Sequence, residues 1–498
     1  MTTKISPLVL PTIALSLMTV VSAVAGLNMA LPSIAVETGA TQTQLTWIVD
    51  SYTVVFAGLL LLAGAIGDRF GRQRILLWGL AIFAAGGVYG FFQTDPEGLI
   101  VARVIMGIGA ATIMPSTLSV ITTSFPPDKR GKAIGVWVGV AGGGAVLGLF
   151  ATALLLEYFD WNSFFALNFG LAITSLLGAL FVPNSVDSSL GRLDWLGGVL
   201  SVFAVGGLVF GIIEGPERGW DSFESIGGLV VGSVALLGFI IWELVTKNPL
   251  LDPKLFKLRG FSSGSLSITI QFFAQFGFIF VGMQYLQFVA GFTPLEAALH
   301  LLWLPLVVLP GSRLAGALSK KVPQKILGSI GLAIFGYALI HFSQLPVEFD
   351  YWYFTVGLLL FGTGMALSAT PATVAITSAL PSEKQGVASA VNDTAREVGS
   401  ALGIAILGAA LTNSYKAEME GATADLPEEI ADKLESSVAF TQMNPPAPLA
   451  QMWDGLVESG LNAFTVGVQN SLTIAGWTAL VGAVLIALIA PNRVTEVK

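Results

Sequence analysis

Apolar runs of about twenty residues or more recur along the whole chain, separated by short breaks rich in charged residues, Pro and Gly. The apolar/polar alternation over about ten residues that a membrane β-barrel strand needs is missing, and the runs are rich in Gly and Ala, which makes them helices. At 1.5 Å per residue, about twenty residues cross a hydrocarbon core roughly 30 Å thick. The runs fall near residues 8–35, 45–67, 74–92, 98–124, 131–157, 162–182, 195–215, 225–245, 261–289, 295–318, 326–343, 351–379, 385–413 and 464–490, fourteen spans in all. An even number puts both termini on one side, and the positive-inside rule says which. Counting alternate breaks as cytoplasmic from Lys4 onward places 18 of the 24 Lys and Arg residues inside, 3 outside (Arg218, Lys416, Lys433) and 3 within spans (Arg103, Arg313, Arg396). A miscounted span would scramble that separation.

Composition narrows the class. Of 498 residues, 54% are hydrophobic and only 11% charged, where a soluble chain carries about a quarter charged; mean hydropathy is +0.77. The chain reads as an all-α integral membrane protein with the lipid bilayer as its surroundings, and its 57 glycines suit close helix packing there. There is no Cys, hence no disulfide framework, thiol nucleophile or cysteine metal site, and two histidines 41 residues apart, His300 and His341, make no metal cluster. Much of the acid behind the net charge of -8 sits in one stretch, Lys416 to Glu458, so the charge points to a solvated loop, and no nucleic-acid partner is expected. The first run is too long for the apolar core of a signal peptide and reads as a retained helix. No Gly-rich loop ending in Lys-Ser/Thr appears, so no ATP-driven pump is expected; nothing resembles an enzyme site, and no cofactor or metal is expected.

One break is unusually charged. Gly64 to Arg74, GAIGDRFGRQR, packs Asp68, Arg69, Arg72 and Arg74 between two apolar runs, so it is a tight cytoplasmic turn. The break at 319–325, SKKVPQK, sits where a second copy would fall, having lost the Asp and both glycines. That weak repeat divides the chain into a six-helix bundle (1–182), linkers with two inserted helices (183–260) and a second six-helix bundle (261–498). Within the second, the stretch 414–462 is a loop of about 50 residues in which Leu426 to Ser437 reads as a short amphipathic helix and MNPPAP breaks it. An extracellular lid and a plain solvated loop are both open readings of it.

The spacing Gly64-xxx-Asp68-Arg69-x-Gly71-Arg72-x-Arg74 resembles the signature loop between the second and third helices of the major facilitator superfamily of secondary transporters. Further stretches resemble its fourteen-helix drug:proton antiporter branch, in particular the quaternary-ammonium efflux pumps. They are Asn28-Met-Ala-Leu-Pro32, Trp47-Ile-Val-Asp50-Ser-Tyr52, Arg103-Val-Ile-Met-Gly107, Trp161-Asn-Ser-x-Phe165-x-x-Asn168, Glu214-Gly215-x4-Gly219-Trp220 and Arg396-Glu397-Val-Gly399-x3-Gly403. Two departures stand out. Span 1 reads Val21-Ser-Ala-Val-Ala-Gly26 where relatives commonly carry an acid, and the span 5 antiporter element reads Gly144-xxx-Gly148-Leu149-xx-Thr152-Ala153, without its proline and final glycine pair. The resemblance implies a major-facilitator fold, a central cavity lined by spans 1, 4, 9 and 12, and proton-coupled export.

An ionisable group inside a bilayer costs at least a few kcal/mol, so each is a functional hypothesis. Asp50 and Arg103 lie about five residues inside the same end of spans 2 and 4, hence at one depth, and are expected to pair. The pair reads either as a proton carrier or as a fixed salt bridge. Asp393 and Glu397 are i, i+4 on span 13 with Arg396 beside them, a face able to share a proton; the alternative is a polar helix end near Lys384. In the charged turn, Asp68 and the arginines serve as a conformational gate, as a topology anchor, or as both. Asn28, Met106, Met114, Gln271, Gln275, Phe276, Met283 and Met365 are the candidate cavity wall, alongside Phe272, with helix packing the competing reading for any one of them. The sequence therefore supports a monomeric, proton-driven exporter of amphipathic drugs or toxic organic compounds in the inner membrane, both termini cytoplasmic. An exporter of one endogenous metabolite or lipid and a non-transporting sensor or scaffold are the alternatives.

Overall fold

The computed structural model describes residues 7–186, 193–319, 321–380, 385–443, 445 and 450–492. Among the residues counted for topology, Lys4, Arg192, Lys320, Lys384, Arg493 and Lys498 lie outside the described residues, as do parts of the 183–194 linker and of MNPPAP. The described residues form helices and turns with no strand.

The helices are α1 (Val9–Thr38), α2 (Gln42–Phe70), α3 (Arg72–Phe91), α4 (Pro96–Ser124), α5 (Pro127–Leu156), α6 (Ser163–Ala179), α7 (Trp195–Arg218), α8 (Phe223–Val245), α9 (Arg259–Gln284), α10 (Pro294–His300), α11 (Trp303–Leu318), α12 (Gln324–Phe342), α13 (Tyr351–Ser378), α14 (Gln385–Thr423), α15 (Glu428–Ser436) and α16 (Trp453–Ile489). Among the described residues, twelve stretches are long and apolar enough to cross a membrane, α10 and α11 together forming one of them. They occupy all the expected spans but the fifth and sixth. There α5 holds a shorter apolar stretch, Gly143–Leu156, and α6 is apolar over 17 residues.

Polar residues start the helices where the apolar runs begin. The Asp95 side chain accepts from the Gly98 amide at 2.8 Å to open α4, and Asp350 does the same for Tyr353 at 3.0 Å to open α13. Thr293 and Glu296 form a reciprocal capping box at α10. Pro32, Pro115, Pro310 and Pro371 lie inside helices, as membrane helices tolerate.

The chain packs as two compact units. The first comprises Met1–Ile34, Trp47–Gly206 and Val231–Leu250, and in it α3 packs on α4 and α6. The second comprises Ala35–Thr46, Gly207–Val230 and Leu251–Lys498, with α9 packed on α13, α14 and α16. Its core includes Phe261, Ile268 and Phe272 of α9, Ala372 and Ile376 of α13, and Ala388, Val391 and Ala395 of α14.

Two expectations change. The stretch 295–318 is one apolar run but two helices, broken at 301–302 between α10 and α11. The stretch 414–462 is mostly helical: α14 runs ten residues past 413, through good helix formers such as Lys416, Ala417, Glu418 and Met419, and α16 begins at Trp453. The expected short helix between them is α15, and it is packed: the Tyr415 hydroxyl donates to the Leu434 carbonyl at 2.8 Å, the Thr423 hydroxyl to Glu435 Oε1 at 2.5 Å, and Leu434 is buried. An acidic composition marked this region as loop, but its apolar residues fall on one face and find a surface.

Candidate functional site

On α14 the acidic and basic residues of one turn fall together, as their spacing requires. Asp393 is 9% exposed, and Arg396 and Glu397 are half-buried. Arg396 Nη1 lies 3.7 Å from Asp393 Oδ1, an ion pair too long for a hydrogen bond. The guanidinium instead sits 4.6 Å over the Phe272 ring of α9, and its Nε has no hydrogen-bond partner among the described residues. Phe272 stacks in turn on Phe276, centroids 5.8 Å apart. The glycines at 399 and 403 bring α9 this close. A methyl on Gly403 would overlap the Phe273 carbonyl, and one on Gly399 would crowd the Thr269 backbone.

In the first unit Asp50 and Arg103 are both fully buried, but they do not form the expected ion pair. Arg103 Nε donates to the Ile48 carbonyl at 3.1 Å, and its guanidinium lies 4.2 Å over the Tyr52 ring and 5.9 Å from that of Phe164. Tyr52 is held by its own hydroxyl, which donates to the Val20 carbonyl at 3.1 Å. Neither carboxylate oxygen of Asp50 has a hydrogen-bond partner among the described residues, nor has Arg103 Nη1 or Nη2. The reason is angular: Ile48 and Tyr52 share a helix face as i, i+4, while Asp50, two residues from each, points away from it.

The charged turn is a single residue long. Gly71, at φ +114°, separates α2 from α3 in a conformation side chains rarely adopt. Arg72 Nε donates to Asp68 Oδ1 at 2.7 Å across it. The Arg72 amide and Nη1 reach the Ser185 carbonyl and hydroxyl at 3.1 and 3.4 Å, and Gln73 Nε2 donates to the Ala179 and Leu180 carbonyls at 3.1 and 3.2 Å. These contacts tie α2 and α3 to the end of α6 within one unit. Arg69 and Arg74 are exposed, and Gly64 packs against Pro115 of α4.

Gly144 and Gly148 lie where α5 crosses α1. A methyl at Gly148 would overlap Ser22, and one at Gly144 would meet Val21 at 2.8 Å. Thr152, buried, lies against Gly26 of α1. The crossing thus keeps its closeness without the motif's proline.

The candidate wall residues divide. Met106 packs against Gly86 of α3, and Gln271 Oε1 accepts from the Ser368 hydroxyl of α13 at 2.7 Å, so each joins helices within its own unit. Asn28 Nδ2 donates to the Val24 and Ala25 carbonyls of its own helix, at 3.2 and 3.4 Å, leaving Oδ1 without a hydrogen-bond partner among the described residues. Met114 and Met283 are buried, while Gln275, Phe276 and Met365 are half-buried.

With this geometry in view, residues 13–404 match the sequence model of the Major Facilitator Superfamily. The chain belongs to that superfamily. Among curated members, it is 31% identical to the methyl viologen resistance protein SmvA of Salmonella typhimurium over 463 residues, 92% of this chain and 93% of that one. It is 31% identical to the multidrug efflux pump LfrA of Mycolicibacterium smegmatis over 474 residues, 93% and 92% of the two chains. To the puromycin resistance protein pur8 of Streptomyces alboniger it is 34% identical over 400 residues, 78% of each. Among solved structures, a bacterial homolog of the human lysosomal transporter Spinster, inward-facing and unoccupied, superposes with a TM-score of 0.65 at 19% identity, covering 98% of this chain and 99% of that one. A peptide transporter POT mutant with sulfate gives 0.66 at 15%, covering 98% and 96%. The major-facilitator fold of an all-helical, multi-pass membrane protein follows.

Sequence reasoning missed parts of this transporter's polar interior. Asp194 is buried, accepting from the Gly197 amide at 2.8 Å and from Trp242 Nε1 at 2.7 Å, so it fastens α7 to α8. Arg218 Nε donates to Glu214 at 2.6 Å and its Nη1 to Glu224 at 3.3 Å at the other end of the same pair. The i, i+4 spacing of Glu214 and Arg218 was a readable signal, whereas the Trp242 partner of Asp194 was not. Phe272 was legible only as an apolar wall residue, and the structure puts it in the buried core shared by α9, α13 and α14.

Proposed function

We propose that the chain is a proton-driven exporter of amphipathic drugs or toxic organic compounds, acting as a monomer by alternating access in a bacterial inner membrane, with both termini cytoplasmic. The observation that carries this is the acid–base cluster of Asp393, Arg396 and Glu397 on a membrane-crossing helix, in a chain whose relatives bear the names of drug-resistance and efflux proteins. A charge in hydrocarbon is expensive, so a carboxyl group that takes a proton lowers the cost of exposing its face to a closed, dry interior. Releasing that proton restores the charge and favours the wetted state. A carboxyl that must be neutral in one conformation and charged in another couples proton entry to cargo exit.

Asp50 acts as a second carrier, since its carboxylate has no hydrogen-bond partner among the described residues to hold it charged. Arg103 acts on the Ile48–Tyr52 face of α2, keeping the helix in register. Asp68, Arg69, Arg72 and Arg74 with Gly64 and Gly71 form the cytoplasmic gate, and the Gly144–Gly148 face of α5 is the sliding surface against α1. Asn28, Met114, Gln275, Phe276, Met283 and Met365 offer adaptable apolar surface with two amides, suited to varied apolar cargo; Met106 and Gln271 support that wall. In chain order, α7 and α8 are inserted between the two six-helix halves. The chemistry is transport without a cofactor, the proton gradient supplying the energy, and not catalysis.

A susceptibility screen of cells expressing the protein tests the reading. Raised tolerance to several unrelated amphipathic compounds is expected, lost with Asp393→Asn. Tolerance to none would favour an exporter of one endogenous metabolite or lipid. Absence of proton release when cargo is added to the purified protein would favour a sensor or scaffold.

A further inference from the structure

We infer that Phe272 is a positioning residue for the proton-coupling cluster, its ring holding the Arg396 guanidinium and so leaving the Asp393 and Glu397 carboxyl groups open to a proton. The inference rests on the coupling role proposed above. An arginine with acids three residues before it and one after, in a mostly buried setting, ordinarily closes on a carboxylate with hydrogen bonds of about 2.7–2.9 Å. Here the nearest approach to Asp393 is 3.7 Å, while the guanidinium centre is 4.6 Å over the Phe272 ring and Nε bonds to nothing among the described residues. The π face competes with the carboxylate for the cation.

The ring is the fixed member of this contact. Phe272 is buried among Phe261, Ile268, Ala372, Ile376 and Val391, from three helices, and stacks on Phe276 at an interplanar angle of 21°. Arg396 has a long stem and can move; Phe272 cannot. An arginine bonded through two nitrogens to Asp393 would occupy the oxygen lone pairs that a proton needs. Held on the ring, it stays near enough to receive the carboxylate when the proton leaves, and far enough not to exclude the next one.

The neighbouring helices bring few competing groups. On α13 the only ionisable side chains are Tyr351 and Tyr353. Along α9 and its final turn they are Arg259 at the start and Tyr285 at the end. On α16 they are Asp454 and Glu458 in its first two turns, and α14 itself carries Tyr415, Lys416, Glu418 and Glu420 only near its C-terminal end.

The test uses the full-length protein in proteoliposomes with ethidium as the probe. Uphill transport driven by an imposed proton gradient is measured beside counterflow of ethidium in the absence of one, which needs no proton step. Phe272→Leu should lower uphill transport about tenfold, the change expected for losing a cation–π contact midway between an exposed and a desolvated one, as the half-buried Arg396 makes it, while counterflow stays within about twofold. Phe272→Tyr, which keeps the π face, should restore uphill transport. Equal loss of both activities in Phe272→Leu, an unchanged uphill rate, or a Tyr variant as poor as Leu would each overturn the inference. Asp393→Asn, run alongside, separates the two levels. Normal uphill transport by that variant removes the coupling reading itself, whereas its loss together with a wild-type rate in Phe272→Leu removes only the role of Phe272.

Discussion

Changing Asp50 to Asn and Arg103 to Met, singly and together, decides whether these two buried residues act on each other. The structure gives Arg103 one charge-assisted hydrogen bond, to the Ile48 carbonyl, and one close ring contact, to Tyr52. Such a bond contributes about 1.5–3 kcal/mol and a desolvated cation–π contact about 2 kcal/mol. Removing the cation also removes the cost of burying it, so Arg103→Met should destabilise by about 2–4 kcal/mol. Asp50→Asn replaces a fully buried carboxyl group that makes no hydrogen bond among the described residues by a neutral amide, so it strands no charge and should not destabilise by more than about 1 kcal/mol. With no shared partner, the double variant should equal the sum within about 0.5 kcal/mol. A true buried ion pair behaves otherwise. Either single change would cost about 3–5 kcal/mol by stranding a charge, and the double change would recover much of it. Equilibrium unfolding in mixed micelles of rising denaturing-detergent fraction, followed by tryptophan fluorescence, gives the four free energies. A coupling energy above about 1.5 kcal/mol would refute the geometry described here.

Three further outcomes are expected. Asp393→Asn should abolish uphill, proton-driven transport while leaving the thermal unfolding midpoint in place, because its one ion pair is long and weak; a variant that still concentrates cargo in vesicles would take α14 out of the mechanism. Gly71→Ala forces a side chain into φ +114° and against Asn184, whose atoms lie 2.6 and 2.9 Å from the new methyl; a loss of about 1–3 kcal/mol should appear as a lower melting temperature in detergent, and an unchanged one counts against the strained turn. Gly403→Leu drives a side chain into the Phe273 backbone and should cost about 3 kcal/mol or prevent assembly, read as the yield of monodisperse protein; normal yield would mean that α9 and α14 are not in close contact.

Much of the fold was legible because a bilayer asks a simple question of a sequence. Length, hydropathy and the placement of Lys and Arg locate membrane helices without knowledge of what they touch. That a tight turn falls within Gly64–Arg74 was legible for the same kind of reason, from four charges in so short a break; that the helices run on until Gly71 alone separates them was not. The illegible parts are those where tertiary contact overrode composition. The Tyr415 to Ser436 region looked like solvated loop by its acids, yet Tyr415 reaches the Leu434 carbonyl and the buried Leu434 packs the short helix down while most of its acids stay exposed. The break between α10 and α11 falls in a stretch apolar enough to read as one span, marked only by His300 before it and Pro305 after it.

The site shows the same division in one more dimension. Depth in the membrane can be counted from a helix end, and it placed Asp50 and Arg103 level with each other. Azimuth cannot be counted until the facing helix is known. At about 100° per residue, Ile48 and Tyr52 lie about 40° apart and Asp50 about 160° from each, so an arginine engaged with the first two is on the wrong side for the third. On α14 the same arithmetic sets Asp393 about 60° from Arg396 and 40° from Glu397, and those three did come together. What it did not supply was the partner from α9. Gly399 lies about 60° from Arg396 on the helix that Gly403 continues, and glycines on the flank of a buried charge mark the side on which another backbone arrives. The side chains that arriving helix brings are then the first candidates to hold the charge, and here the one that does is Phe272.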